Sequence, residues 1–461
     1  MPVSDLSVGA GVLRNLASQL FTRLLSNIGV RLLQVPILLH ALGGDDYGRW
    51  LVLSTVPAWL SLSNMGFGTV AGNEMLMSAS SGDMGRTRTL YAASWKTAVL
   101  AALILLPAVL CGSLCLPVER WVGLGADRSW EVRMGLCCLC LSVILSLFTD
   151  VLSLRLRAGR RSDTAAYLLG VQLWAELLLV WWFTARGVGF DGLGVANLAS
   201  TVLCLILTAW AGRGILPELR LDWRSASRRD VAGLFRKGLH YQALPMGHAL
   251  ILQGQLMAVH GCLGSGAVAV FGTTRTLVRL ASQSTELVNH SVWPEFSRLF
   301  GRGELARAAR LHRISVMASI GSGLLVALVL TLFGMRLYGF WTDDILSIDT
   351  GLLLCFLLSV PMNACWYTSS MVHLSCNRYE GLARRYLLAA TLSLAACLLL
   401  ALTFGLEGAA LSSLVADAIM IPYVGSVSLR LTGDRLQGIP GRLRSDVRWL
   451  VRMPWPDLRR F

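Results

Sequence analysis

The chain has 461 residues, of which 54% are apolar and only 15% charged, and its formal net charge is +14. With a mean hydropathy of +0.59, it is too apolar for one soluble domain, and its apolar runs recur at the ~20-residue length that crosses a bilayer. A basic balance often points to nucleic acid, but here the basic residues cluster between apolar runs, so they set topology and exclude that partner.

The composition predicts an all-α polytopic membrane protein with about twelve transmembrane helices, at approximately 16–42, 50–76, 90–112, 131–154, 164–186, 193–212, 239–261, 267–293, 314–338, 349–374, 386–404 and 409–430. The first carries charge where a lipid-facing span would carry none. At about 100° per residue, Gln19, Arg23, Asn27, Arg31 and Gln34 share one face, and Leu24, Leu25, Ile28, Leu32, Val35 and Leu39 cover the other. An arginine at mid-bilayer costs about 2.5–3.5 kcal/mol or more. The stripe therefore faces a protein-lined, wet interior, either as an anion site or as a set of ion pairs locking the bundle.

The segments after even-numbered spans hold most of the 41 basic residues, nearly all arginine, since Lys96 and Lys237 are the only lysines. By the positive-inside rule both termini are cytoplasmic. Met1 to Leu13 contains no basic n-region, so the first span is expected to stay in place. Eleven cysteines lie mostly inside apolar spans, without Cys/His ligand spacing, and read as small hydrophobes. No metal and no cofactor is expected.

The two halves of the chain repeat. At an offset of 221 residues, Gln34 meets Gln255, Leu42-Gly43 meets Leu263-Gly264, Trp50 meets Phe271, Glu74 meets Glu295, and Gly82-Asp83 meets Gly303-Glu304. Six helices per copy, an even number, gives parallel repeats about an axis normal to the membrane. The expected organisation is an N-terminal lobe (1–212), a basic linker (213–238), a C-terminal lobe (239–430) and a basic amphipathic tail (431–461) lying on the anionic leaflet.

The eighth span carries a second stripe, Arg275, Arg279, Gln283, Glu286 and His290, within about 80° of arc. It reads either as cavity lining or as arginines paired with Glu286. Lys96 is expected to snorkel to the interface. Glu176, Glu286 and Asp417 are the deepest acids in the spans, and either neutralise arginines or bind a coupling proton or sodium ion. The mid-span prolines Pro36, Pro57, Pro107, Pro245, Pro361 and Pro422 suit bent helices.

Three short stretches resemble the signatures of Wzx-type polysaccharide flippases of the multidrug/oligosaccharidyl-lipid/polysaccharide exporter superfamily. They are Leu42-Gly43 through Tyr47-Gly48-Arg49-Trp50, Asn64-Met65-Gly66-Phe67-Gly68, and Trp293-Pro294-Glu295-Phe296-Ser297 running into Gly303-Glu304. The second motif usually carries an acid where this chain has Asn64. The resemblance implies alternating-access transfer of an undecaprenyl-pyrophosphate-linked oligosaccharide from the cytoplasmic to the periplasmic leaflet of a bacterial inner membrane, for surface polysaccharide such as O-antigen or exopolysaccharide. A polysaccharide polymerase, a chain-length regulator and membrane lipids are the implied partners. Arg23, Asn27, Arg31, Gln34, Arg275, Arg279 and Gln283 are then the expected substrate contacts, because arginine is always charged and grips phosphate bidentately.

A multidrug exporter of the same superfamily would need an acidic or aromatic cavity, against which the arginines argue. A membrane enzyme would need reactive groups gathered at the surface, and no such constellation is present, so the chain is read as a transporter with no catalytic residues. A glycan-assembly scaffold would leave the arginine stripes dispensable.

Overall fold

The computed structural model describes residues 29–62, 67–159, 161–216, 219, 223–376, 378–435, 437, 441–442, 445–446 and 448. Every described element is helical, and eight helices are long and apolar enough to cross a membrane. The chain divides into two units, residues 1–245 and 246–461.

In the first unit, α1 (Val30–Leu53) is two helices joined across a kink at Gly43. It is followed by α2 (Thr55–Ser61), α3 (Phe67–Ser80), α4 (Met84–Cys115), α5 (Ser129–Ala158), α6 (Ser162–Thr184) and α7 (Phe190–Gly212). The expected second span is thus not one rod. Its residues are shared between the end of α1, the short α2, which contains Pro57, and α3. Helix α5 packs on α3, α4, α6 and α7, and glycines bring it close to α7. A Cβ on Gly194 would lie 2.6 Å from the Gly135 carbonyl oxygen, and one on Gly135 would lie 2.6 Å from the Phe190 carbonyl oxygen.

The basic segment after α7 does not bridge open space. It folds back as α8 (Arg228–Tyr241), which packs on α3 and α4 within the first unit. A reciprocal cap starts it: the Ser227 amide and hydroxyl donate to Asp230 Oδ2 (2.9 and 2.6 Å), and the Asp230 amide donates back to the Ser227 hydroxyl (3.2 Å). Leu234 and Ala226 join a core with Met75, Leu90, Tyr91, Leu147, Val151 and Leu154.

Helix α9 runs as Ala243–Ala249, a π-helical turn Leu250–Gly254, then Gln255–Leu263. The second unit continues with α10 (Ser265–Gly301), α11 (Leu305–Thr342), α12 (Thr350–Ser375), α13 (Tyr379–Leu411, kinked at Gly405) and α14 (Ser413–Thr432). Helix α12 is central, touching α10, α11, α13 and α14. Exposed leucines such as Leu103, Leu332, Leu399 and Leu402 give α4, α11 and α13 apolar outer faces.

The repeat seen in the sequence is repeated in the backbone. Gly43 has φ 74°, ψ 174°, and Gly264, 221 residues later, has φ 87°, ψ 179°. The turn before α4 uses Asp83 N–H to Ser78 O (2.9 Å) and Met84 N–H to Gly82 O (2.9 Å). The turn before α11 uses Glu304 N–H to Leu299 O (3.0 Å) and Leu305 N–H to Gly303 O (2.9 Å), the same bonds at the same offset. The central helices α5 and α12 are the fourth and tenth spans, which are also repeat equivalents. Among the described residues, the expected spans outside the eight apolar helices are the second, the seventh, the eighth and the described part of the first.

The tail segment is tied to α11 by charge. Arg313 Nε and Arg310 Nε donate to Asp446 (2.7 and 3.1 Å), and Arg313 also pairs with Asp434. Both acids are buried, with side chains 2% and 5% exposed. The described part of the tail is therefore an ion-paired cap on α11, and residues 449–461 lie outside the description.

Candidate functional site

Polar residues on membrane-length helices gather within each unit. In the second unit they are organised by α10. Its Arg275 lies half-buried, donates from Nη1 to the carbonyl of Leu252 at 2.9 Å, and stacks over Phe271 with the guanidinium carbon 5.6 Å from the ring centroid. Leu252 sits in the π turn of α9. A π turn disturbs the regular i to i−4 ladder, and such bulges recur at functional sites. Arg275 satisfies a carbonyl of that turn, so this guanidinium has a structural bond as well as any bond to a ligand.

One turn on, Arg279 is exposed, Gln283 and Glu286 are half-buried, and neither Arg279 nor Glu286 forms an ion pair among the described residues. Glu286 therefore does not neutralise Arg279. Seven residues separate them, about 10 Å of rise, too far for a direct contact. On the adjoining face, Thr285 and Asn289 are buried (2% and 3% exposed), and their side-chain polar atoms have no hydrogen-bond partner among the described residues. The side chain of His290 lies outside the description.

The deepest acid of this unit is Asp417 on α14, 4% exposed. Its Oδ1 accepts from Trp366 Nε1 (2.7 Å) and Asn363 Nδ2 (3.3 Å), both on α12. Tyr386 of α13 packs beside Trp366, ring centroids 5.3 Å apart. Gln255, the repeat partner of Gln34, is 2% exposed and donates to Ser393 Oγ (3.3 Å) and Ser412 Oγ (3.1 Å).

In the first unit, Arg31 is exposed and Gln34 half-buried on α1, while Arg23 and Asn27 lie outside the described residues, as does Asn64. Helix α1, which carries Arg31, packs on α6, which carries Glu176. Glu176 Oε1 accepts from Asn197 Nδ2 (3.1 Å) on α7, and Asn197 Oδ1 accepts from Ser142 Oγ (2.5 Å) on α5. Gln172 donates to Thr201 (3.1 Å) between the same helices α6 and α7. Each unit thus holds an acid bonded to an asparagine amide of a neighbouring helix. The two acids are not repeat equivalents, since Glu176 belongs to the fifth span and Asp417 to the twelfth.

The connection expected between the first two spans carries a charge cluster. Asp46 accepts from Arg128 Nη1 at 2.5 Å and pairs with Arg49, while Arg128 also holds Glu131 at 2.9 Å. Burial pushes the Asp46 carboxyl up, but the hydrogen bonds from Arg128 and Arg49 outweigh it and hold it below the ordinary aspartate range. Glu131 in turn accepts from the Phe190 amide at 2.8 Å, at the start of α7. At the other end of the unit, hydrogen bonds from Ser227, with help from Arg86, hold Asp230 below its ordinary value.

Sequence reasoning missed Asn197, Ser142, Asn363, Trp366 and the Leu252 carbonyl. Neutral partners on separate helices have no sequence spacing, whereas a π turn leaves only a local mark. Among the described residues no three His, Cys, Asp or Glu side chains gather as a metal site, and all eleven cysteines are free thiols.

No sequence-family profile matches the chain, and no curated protein matches it in sequence. Solved structures do share its fold. An inward-facing multidrug resistance MATE family transporter of the MOP superfamily aligns with a TM-score of 0.76 at 13% identity, over 92% of this chain and 99% of that one. An outward-facing structure of a multidrug resistance MATE family transporter aligns at 0.63 and 12% identity, over 92% and 96%. A mutant of the Vibrio cholerae MATE transporter VcmN aligns at 0.62 and 16% identity, over 94% and 100%. The fold is that of MATE transporters of the MOP superfamily, a polytopic all-helical membrane fold of two lobes.

Proposed function

We propose that the chain is an alternating-access flippase that moves a polyprenyl-pyrophosphate-linked oligosaccharide outward across a bacterial inner membrane, with both termini cytoplasmic. The observation that carries this reading is Arg279, an exposed guanidinium without an ion-pair partner among the described residues. It lies fourteen residues into α10, about 21 Å along its axis from Ser265. A cation at that depth is costly in lipid and useful where a pyrophosphate must cross. Arg275, Gln283, Arg31 and Gln34 are the further described contacts proposed for the lipid-linked substrate, with Arg23 and Asn27 on the same stripe.

The membrane potential gives direction. At about 2.3 kcal/mol per charge per 100 mV, moving two negative charges out of an inside-negative cell releases roughly 4–5 kcal/mol per 100 mV. Glu176 and Asp417 are the proposed proton or sodium sites that reset the empty carrier. Glu286, without an ion pair among the described residues, joins them because it lies half-exposed on the same stripe as Arg279. A drug exporter for organic cations fits an exposed guanidinium poorly, since like charge repels the cargo.

The test is competitive binding to purified protein. A soluble short-chain polyprenyl pyrophosphate should displace a fluorescent analogue from wild type and lose at least about tenfold in affinity in Arg279→Gln, matching a charge-assisted contact of ~1.5–3 kcal/mol. Binding of an organic cation instead, strengthened by the same substitution, would assign the protein to drug export.

A further inference from the structure

The helix that follows the first six spans presents a surface the transport reading does not use. Besides its core packing, the start of α8 is tied to α4 by two hydrogen bonds: Lys96 Nζ donates to the carbonyl of Ala226, two residues before the helix, at 2.6 Å, and Arg86 Nη1 donates to Asp230 at 3.3 Å. After Lys96, α4 carries no charge to its end at Cys115, an uncharged helical run of about 28 Å at 1.5 Å per residue, matching the ~30 Å hydrocarbon layer. Lys96 therefore marks the hydrocarbon boundary, and its bond fixes Ala226 at that depth. The twelve residues of α4 before Lys96 rise about 18 Å beyond it, and α8 packs against this part, at headgroup level.

The outer face of α8 matches that depth. Arg228, Arg229, Ala232, Phe235 and Arg236 are exposed and lie within about 120° of arc, whereas Leu234 and Gly238 are buried on the opposite side. Trp223, just upstream, is 44% exposed, as is Phe235. The one acid of the helix, Asp230, is turned to Arg86 and Ser227. The face is thus arginine and aromatic with no carboxylate, at the depth where guanidinium meets phosphate and rings meet glycerol and upper acyl carbons.

We propose that the exposed face of α8 is a docking surface for anionic phospholipid headgroups of the adjoining leaflet, with Arg228 and Arg229 binding the lipid phosphate and Phe235 and Trp223 seated beside it. This fixes α8, and through Lys96 and Arg86 the basic end of α4, to the membrane surface. It rests on the depth of Lys96 and on the composition of one helix, not on the identity of the transported molecule, so it stands or falls separately from the flippase reading.

Native mass spectrometry of the full-length chain tests it. Protein in detergent is titrated with phosphatidylglycerol and, separately, with phosphatidylcholine of the same acyl chains, with inorganic phosphate as competitor. Wild type should retain phosphatidylglycerol preferentially. The preference should fall by roughly fivefold for each of Arg228→Gln and Arg229→Gln, from about 1 kcal/mol per arginine at an anionic surface, and Phe235→Ser should weaken retention of both lipids. An Arg302→Gln/Arg307→Gln control on the second unit should keep the preference. Equal retention of the two lipids by wild type, an undiminished preference in the Arg228→Gln/Arg229→Gln variant, or the same loss in the control would overturn the proposal. Displacement of phosphatidylglycerol by millimolar phosphate would overturn it in favour of a free-phosphate site.

Discussion

Gly264 offers a perturbation whose cost comes from the backbone alone. At φ 87°, ψ 179° it occupies a region that only glycine enters without strain, yet a Cβ built there meets nothing within 4 Å. Alanine at this position therefore adds no clash. It adds about 1–3 kcal/mol of backbone strain, offset by about 0.4–1 kcal/mol from the stiffer unfolded chain, so Gly264→Ala should destabilise by about 1–2 kcal/mol. Gly261, three residues earlier on α9, also has open space around its Cβ and has no positive φ. There alanine should be neutral or stabilise by up to ~1 kcal/mol. The buried thiols of Cys138, Cys140, Cys204 and Cys397 make a thiol-reactive dye a direct reporter of unfolding in detergent. Gly264→Ala should melt several degrees below Gly261→Ala, and Gly43→Ala should behave like Gly264→Ala, since Gly43 has the same conformation and equally open space. Equal melting of Gly264→Ala and Gly261→Ala would refute the argument that these two glycines are fixed by backbone geometry.

Four further outcomes follow from the local surroundings of single residues. Gly194→Ala places a Cβ 2.6 Å from a carbonyl oxygen of α5 and should cost about 1–3 kcal/mol by forcing two backbones apart. Gly112→Ala, with open space, should melt at or above wild type in the same assay. Asp46 has a folded-state pKa below its unfolded value, so its contribution is complete above the unfolded aspartate pKa of about 3.9 and declines as pH falls through the folded value. Melting curves between pH 3 and 6 should show an acid-side loss in wild type that is smaller in Asp46→Asn, and parallel pH profiles would remove that assignment. Asp417→Asn keeps an oxygen for Trp366 Nε1 while removing the ionisable group. It should fold normally and make transport insensitive to an imposed proton or sodium gradient, whereas an unchanged gradient response would exclude Asp417 as the coupling site.

Much of the architecture was legible because hydropathy and repetition act over whole helices. Leu42-Gly43 and Leu263-Gly264 marked equivalent positions in the sequence, and both proved to be kinks of one conformation. Pro57 suits a bend in the second span but does not show where its helices end. The basic segment 213–238 carries a helix signal as well, since Ser227 and Asp230 spell a cap and Val231, Leu234 and Gly238 follow at helical spacing. Its run of arginines masked that pattern. At the site, the charged residues were visible because charge in an apolar run stands out. Their partners were not: Asn197, Asn363 and the Leu252 carbonyl are neutral, and only the packing of separate helices brings them to Glu176, Asp417 and Arg275. Glu286 and Arg279 stand seven residues apart on one helix, a separation the sequence alone shows to be too long for a direct pair.

The claim that the arginine stripe carries a pyrophosphate is met most directly by flux. Protein reconstituted in liposomes would be given a fluorescent polyprenyl-pyrophosphate glycan at set membrane potentials, with wild type compared with Arg279→Gln and Arg31→Gln variants of normal melting temperature. Wild-type flux that rises as the receiving side is made positive, and falls at least about tenfold in Arg279→Gln by loss of a charge-assisted contact, is the predicted result. Full flux in Arg279→Gln, or wild-type flux indifferent to potential, would contradict it.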